Sequence, residues 1–389
     1  MKILICSDTY FNQTNGVVTV LHTLVTSLRE LGHDVRVLSP SDTRKSFKKG
    51  GDYFLRSLPA LYYPKERLCF TRKDPLIDEL KSWKPDLIHS HTEGLISRLA
   101  ISLSSKLQIP LVITTHTDFA KYIFGRFYDS PPVRVIGKVF GKVCYTHADA
   151  IIVPTKKSCG FMWLRSYLDR VTVIPNGISL ETFQRELTPD EKAELFEQYE
   201  IPDDRFTLVS ITRVSKEKNI MEILQYFHSL LRVDPEVQLV IVGDGPDRKR
   251  LQKYCESSGI SEHVYFTGII APDDVYRYYK MGDVFVSAST FETQGMTYIE
   301  AMACGLPQVC RKDECLIDVI DNGENGFVYE TEPEFTDAVS KLLLDSELRE
   351  DMSSKALEKA ESFSGTRFAE RTVELYQKVL QKHNCETRQ

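Results

Sequence analysis

No apolar run in the 389 residues reaches the roughly 18 consecutive positions that a membrane-crossing helix needs. The nine cysteines are odd in number, scattered and without a Cys-x-x-Cys pair. That argues against a zinc ribbon or a disulfide framework and fits a reducing compartment. No G-x-G-x-x-G follows a strand, which argues against a nicotinamide-dependent dehydrogenase. Low-complexity tracts and close internal repeats are missing as well. Met1-Lys-Ile-Leu-Ile-Cys6 leads straight into a strand and then polar residues, so no signal peptide is expected.

What is present reads as a globular chain, 42% hydrophobic and 27% charged. Its length is too great for one compact core and suits two domains. The net charge of −6 hides an asymmetry: up to Arg185 there are 26 basic and 16 acidic residues, and the remainder holds 23 and 39. A basic first half suits an anionic partner such as a membrane surface. No nucleic-acid partner is expected.

The hydrophobic pattern gives the fold class. Short apolar strands are expected at Lys2–Cys6, Val35–Leu38, Leu87–His89, Leu111–Thr115, Ala150–Val153 and Val171–Ile174, with helical spacing between them. Pro175-Asn-Gly177 closes this run, and the charged segment from Thr188 to Asp204 reads as a connector. A second series follows at Phe206–Thr212, Val237–Val242, Val264–Thr267, Asp283–Ser287 and Gly326–Tyr329. Alternating strands and helices imply parallel sheets, hence two doubly wound α/β domains around a cleft. The expected bounds are 1–185 and 186–365, with 366–389 as a terminal helix.

The residues that could carry chemistry lie where strands end and helices begin. Ser289-Thr-Phe-Glu-Thr-Gln-Gly-Met-Thr-Tyr-Ile-Glu300 reads as a loop turning at Gly295 into a helix. The free N–H groups of such a helix start favour a phosphate, and Glu292 and Glu300 offer carboxylates to sugar hydroxyls. Arg213 and Lys218 follow another strand and could reach one pyrophosphate. A basic cluster at a helix start opposes the helix dipole unless an anion is bound there. Gly16 after the first strand and Gly243-Asp-Gly245 after another are turns that let backbone approach a ligand or shape the floor of a site. His116 ends a strand, whereas His89, His91 and His147 fit no metal-ligand spacing and read as structural. A carboxylate pair also invites comparison with glycoside hydrolysis, but beside a phosphate cradle the two read as donor-binding groups.

Two stretches mix bases with aromatic or apolar residues. One runs from Tyr53 to Lys73, the other from Phe119 to Tyr145; Asp118 just before the second and Tyr122 within it are expected on the acceptor side. Arg134, Lys138 and Lys142 recur every four residues beside Val135, Ile136, Val139, Phe140, Val143 and Cys144. That is a basic amphipathic helix, either lying on an anionic membrane or packing its apolar face on the sheet.

Taken together, Gly16, Thr115-His-Thr117, Pro175-Asn-Gly177, Arg213 with Lys218, Gly243-Asp-Gly-Pro246 and the Glu292/Glu300 pair resemble glycosyltransferase family 4 over nearly the whole chain. The resemblance implies a GT-B fold of two Rossmann-like domains and a retaining transfer from a nucleotide sugar, with no cofactor and no obligatory metal. It implies that Arg213 and Lys218 hold the diphosphate and that Glu292 and His116 contact the donor sugar. Glu300 would bind the ribose, and Gln294, Gly295, Met296 and Thr297 would offer backbone amides. The last helix, Thr366 to His383, would cross back to the first domain. With Thr293-Gln-Gly-Met-Thr-Tyr298, the pattern is similar to bacterial glucosyltransferases acting on diacylglycerol. A peripheral enzyme on the cytoplasmic face of the membrane is expected, using uridine diphosphate glucose. A soluble sugar, a phosphoinositide or another lipid-linked acceptor remains open, as do a nucleotide-sugar epimerase and a non-catalytic sensor.

Overall fold

The computed structural model describes residues 1–10, 16–59, 67–70, 73–118 and 130–386. The chain forms two compact units, Met1–Gly177 with Gly365–Gln389, and Ile178–Ser364. The first boundary falls at Gly177 rather than at 185, so the short helix Leu180–Phe183 belongs to the second unit.

The first unit is built on an eight-stranded sheet in the order β10 (Val171–Val173), β9 (Ala150–Val153), β8 (Leu111–Thr114), β7 (Leu87–Ser90), β1 (Lys2–Cys6), β2 (Asp34–Pro40), β4 (Asp52–Leu55) and β3 (Phe47–Lys49). Its centre is β1 (Lys2–Cys6), β7 (Leu87–Ser90), β8 (Leu111–Thr114) and β9 (Ala150–Val153), all paired in parallel. Parallel strands joined by helices are covered on both faces, so they read as continuous apolar runs; β8 and β9 are buried at every position. The first helix, Gly16–Glu30, turns Val18, Val20, Leu21, Leu24, Val25 and Leu28 inward at helical spacing. The final helix, Gly365–Glu386, packs against it and buries Phe368, Leu375 and Tyr376.

The sheet extends beyond the sequence expectation. β2 (Asp34–Pro40) is joined by β4 (Asp52–Leu55), which pairs antiparallel with β3 (Phe47–Lys49). Tyr53 and Phe54, which open the first of the stretches that mix aromatics with bases, are core residues of β4. The Tyr53 hydroxyl is satisfied, donating to Glu79 at 2.7 Å and accepting from Arg36 at 2.6 Å. A separate two-stranded ribbon pairs β5 (Leu58–Pro59) with β6 (Arg67–Leu68). Tyr62, Tyr63, Lys65, Arg72 and Tyr122 lie outside the described residues.

The second unit holds a six-stranded parallel sheet in the order β13 (Val264–Gly268), β12 (Val237–Val242), β11 (Phe206–Ile211), β14 (Val284–Ser287), β15 (Gln308–Arg311) and β16 (Gly326–Tyr329). Its inner strands are β11 (Phe206–Ile211), β12 (Val237–Val242) and β14 (Val284–Ser287). Alternation along them fills two cores. Leu208, Leu239 and Val284 point to one face, Val209, Val240 and Phe285 to the other. β15 (Gln308–Arg311) was not expected as a strand. Its Gln308 is buried and donates to Tyr298 O at 2.9 Å.

Both sheets reverse their order at one point, β1/β7 in the first and β11/β14 in the second. Ligands of such sheets bind at the carboxyl ends of the strands on either side of that switch.

Candidate functional site

In the second unit the carboxyl ends of β12, β11 and β14 carry the Gly243, Arg213 and Glu292 loops. Two glycines join the first two loops. Gly243 has φ +128°, and a Cβ there would lie 2.0 Å from Thr212 O; at Gly245 it would lie 2.2 Å from Val214 O. Hydrogen bonds from Val214 N to Asp244 O (3.0 Å) and from Asp247 N to Val214 O (3.1 Å) complete the contact. The two turns therefore fix the backbone on either side of Arg213. Arg213 itself is exposed, with its guanidinium in no ion pair among the described residues.

Lys218 and Glu292 meet directly in a short ion pair between half-buried side chains. Ser289 Oγ donates to the same carboxylate oxygen at 2.8 Å, so Glu292 is held from two sides. Gly295 takes φ +75° and is the N-cap of the helix Met296–Ala303, with no side chain capping its first turn. The first N–H groups, at Met296 and Thr297, thus have no intrahelical acceptor and are open to an anion. Gln294 is buried beside them. Glu300, one turn into the helix, accepts from the Tyr279 hydroxyl at 2.8 Å. Part of the residue stays open to solvent, but its carboxyl group is enclosed. Burial pushes it up to about 7, against the hydrogen bond from Tyr279.

In the first unit the carboxyl ends of β1, β7 and β8 gather Asp8, the loop from His91 to Glu93, and the loop from Thr115 to Asp118. Asp8 accepts from Gly94 N and Ile96 N (3.1 and 2.9 Å), closing the start of the helix Leu95–Leu107. Glu93 accepts from the Tyr145 hydroxyl at 2.8 Å, and burial pushes its carboxyl up to about 7. His116 is half-buried, and its Nε2 lies 3.2 Å from His91 Nδ1. Burial lowers His116 to about 4 and His89 to about 3, and it lowers His91 too. All three imidazoles are neutral at physiological pH. Asp118 is buried. Gly16 opens the first helix, and among the described residues a Cβ there would meet nothing within 4 Å.

The basic helix spans Pro131–Tyr145. Its inward face is set by glycines: a Cβ on Gly137 would lie 2.6 Å from Met162 Sδ, and one on Gly141 2.5 Å from Trp163 O. Val133, Cys144 and Tyr145 are buried on the same side. Val135, Ile136, Val139 and Val143 therefore face out, 61%, 51%, 59% and 43% exposed. Arg134, Lys138 and Lys142 are exposed along one edge of that strip. Phe140 departs from the expected membrane-facing set, because its ring packs on Trp163 at 5.0 Å.

The sequence missed Tyr279, Ser289, Glu93 and the link between His91 and His116.

Comparison with known proteins places this geometry. The family models for Glycosyltransferase Family 4 and Glycosyl transferases group 1 match residues 14–182 and 191–359. An alpha-monoglucosyldiacylglycerol synthase of Streptococcus pneumoniae is 32% identical, covering 99% of this chain and 87% of that protein. One of Acholeplasma laidlawii is 29% identical, covering 99% and 98%. A crystal structure of Anabaena HepE in complex with UDP superposes with a TM-score of 0.75 at 19% identity, covering 97% of this chain and 100% of that one. The catalytic domain of starch synthase IV from Arabidopsis thaliana, bound to ADP and acarbose, gives 0.75 at 18% identity, covering 98% and 99%.

Proposed function

The chain belongs to glycosyltransferase family 4, and on that premise we propose that it moves glucose from uridine diphosphate glucose to 1,2-diacylglycerol at an anionic membrane surface, with retention at the anomeric carbon. It is a glycosyltransferase of the GT-B fold. The observation that carries the lipid acceptor is the outward strip of Val135, Ile136, Val139 and Val143, edged by Arg134, Lys138 and Lys142. Water is a poor partner for four neighbouring aliphatic side chains. A cation near an anionic membrane contributes about 1 kcal/mol, so the three together supply roughly 3 kcal/mol. The near full-length likeness to two alpha-monoglucosyldiacylglycerol synthases supports the same acceptor. The protein then works as a peripheral enzyme on the cytoplasmic face.

Donor chemistry falls to the second unit. Arg213, Lys218 and the N–H groups of Met296 and Thr297 hold the diphosphate and stabilise the charge it gains on leaving. They do this in place of a divalent cation. Glu292, steadied by Lys218 and Ser289, takes a sugar hydroxyl, and Glu300 takes the ribose. The acceptor oxygen bonds to the anomeric carbon on the face that the diphosphate leaves. The carbon–oxygen bond to the diphosphate breaks and its electron pair stays on the phosphate oxygen. The acceptor proton passes to the departing diphosphate. No enzyme nucleophile is needed.

The test is incubation of the protein with uridine diphosphate glucose and vesicles containing diacylglycerol. Hexosyl-diacylglycerol is expected by mass, with release of uridine diphosphate that depends on the lipid. Release that ignores the acceptor, or a rearranged nucleotide sugar with no release, would contradict the reading.

The Glu300 carboxyl adds a pH signature. Below about 7 it is protonated, and one of its oxygens is lost as an acceptor for ribose hydroxyls. Binding favours the carboxylate, so affinity rises with pH through the value of the free protein. Uridine diphosphate glucose itself does not ionise in this range. Its Kd is expected to tighten by about five- to tenfold from pH 6 to pH 8, measured by calorimetry, and Glu300→Gln should flatten the profile. A flat profile for the natural protein would remove Glu300 from the site.

A further inference from the structure

Asn219 follows Lys218 and joins the single-turn helix Lys216–Lys218 to the helix Ile220–Leu230. Its backbone is left-handed, with φ +52°. That region crowds the Cβ of every residue but glycine, and asparagine enters it because its short amide can bond locally. Asn219 is the N-cap of the second helix, yet its side chain caps no backbone N–H. The amide nitrogen donates instead to Glu222 Oε2 at 2.9 Å.

Glu222 is held in turn from outside its helix. Its Oε1 accepts from Arg311, at the end of β15, at 2.8 Å. The same oxygen lies 3.3 Å from the hydroxyl of Tyr329, at the end of β16. Burial and the neighbouring carboxylate push the Tyr329 phenol up, so the hydroxyl stays protonated and donates. One carboxylate thus ties Asn219 to the ends of two strands.

The backbone on either side shows what the tie controls. Lys218 N donates to Ser215 O at 3.1 Å, and Asn219 N to Lys216 O at 3.1 Å. The chain winds up to Asn219 and is then turned into the next helix, where Glu222 N donates to Asn219 O at 3.0 Å. A shift of Asn219 to the ordinary right-handed region would rotate the peptide that joins it to Lys218, and would swing the ammonium away from Glu292.

We propose that Glu222 is a positioning residue of the diphosphate site: through Asn219 it holds the left-handed turn that aims Lys218 at Glu292. Arg311 and Tyr329 fix the carboxylate that does this. Glycine would make such a turn unaided; here a side-chain tether stands in for glycine's freedom. The effect on ligand binding rests on the reading of Lys218 in the proposed function; the turn does not. It is a property of the free protein.

The test is the Kd of uridine diphosphate, measured by calorimetry. Glu222→Ala should weaken it by about five- to tenfold, the net effect of one hydrogen bond. Asn219→Ala leaves Glu222 paired with Arg311 and should weaken binding as much. Asn219→Gly should bind within about twofold of the natural protein, because glycine adopts a positive φ without a tether. Adding Asn219→Gly to Glu222→Ala should therefore restore affinity. Thermal stability of that double variant should stay low, since Arg311 and Tyr329 have lost their partner. Support of the fold alone would not give this split. Natural affinity in Glu222→Ala, or no recovery in the double variant, would overturn the proposal. If Glu222→Ala does not fold, natural affinity in Asn219→Ala overturns it by itself. Crystal structures of the ligand-free proteins read the turn directly: the Lys218–Glu292 pair should persist in Asn219→Gly and be lost in Asn219→Ala, and its persistence in both would also overturn the proposal. An unchanged Kd in Lys218→Ala would refute the diphosphate reading of Lys218 and leave that structural comparison standing.

Discussion

Arg213→Ala is expected to lower kcat/KM for the sugar nucleotide by about a thousandfold, roughly 4 kcal/mol of transition-state stabilisation. The diphosphate gains charge as it leaves, and a guanidinium meets two phosphate oxygens in a fork that a lysine cannot reproduce. Arg213→Lys should therefore recover only part of the loss. The fold should not notice either change, because Arg213 is exposed and in no ion pair among the described residues; thermal melting should move little. Gly243→Ala is the informative companion. Its new Cβ would meet Thr212 O at 2.0 Å, displacing the backbone next to Arg213. Activity should fall although no functional group has been removed. Turnover near the natural level in Arg213→Ala, with any nucleotide sugar, would sink the assignment of the diphosphate site.

The second large effect concerns the helix Pro131–Tyr145. Ile136→Glu with Val139→Glu should abolish sedimentation with anionic vesicles and reduce transfer to vesicle-borne diacylglycerol by about a thousandfold. Two exposed aliphatic contacts contribute on the order of 1 kcal/mol each when buried in the interface. Two carboxylates facing an anionic surface cost about the same again. The sum, roughly 4 kcal/mol, is about three decades in partition. Both positions are more than half exposed, so the core is untouched, and binding of the sugar nucleotide should be unchanged. Val233→Glu, more exposed and in the second unit, is the control and should behave as the natural protein. A double variant that sediments and turns over normally would show that this helix does not dock.

The parallel strands were legible because both of their faces are buried, which leaves continuous apolar runs such as Ala150–Val153. β15 was not, since Gln308 and Arg311 bracket only two apolar residues and the strand is held by its neighbours on both sides. Tyr53 and Phe54 raised no strand expectation, because aromatics beside bases look alike whether a strand buries them or a membrane covers them. The basic helix shows a similar limit. Periodicity gave its existence and its cationic edge, but a hydrophobicity pattern gives no weight to glycine, and Gly137 and Gly141 make the closest approach to the core. In the site, Arg213, Lys218, Glu292 and Glu300 were visible because each follows a strand end that local sequence marks. The contact between Tyr376 and His89 was invisible, because the two lie 287 positions apart.

The most direct measurement of the central claim is proton NMR of the lipid product made from uridine diphosphate glucose and diacylglycerol in anionic vesicles. The account predicts one glucose joined to the glycerol hydroxyl in the α configuration, that of the donor. A β-linked product, or glucose found only as the free sugar or on a water-soluble acceptor, would contradict it.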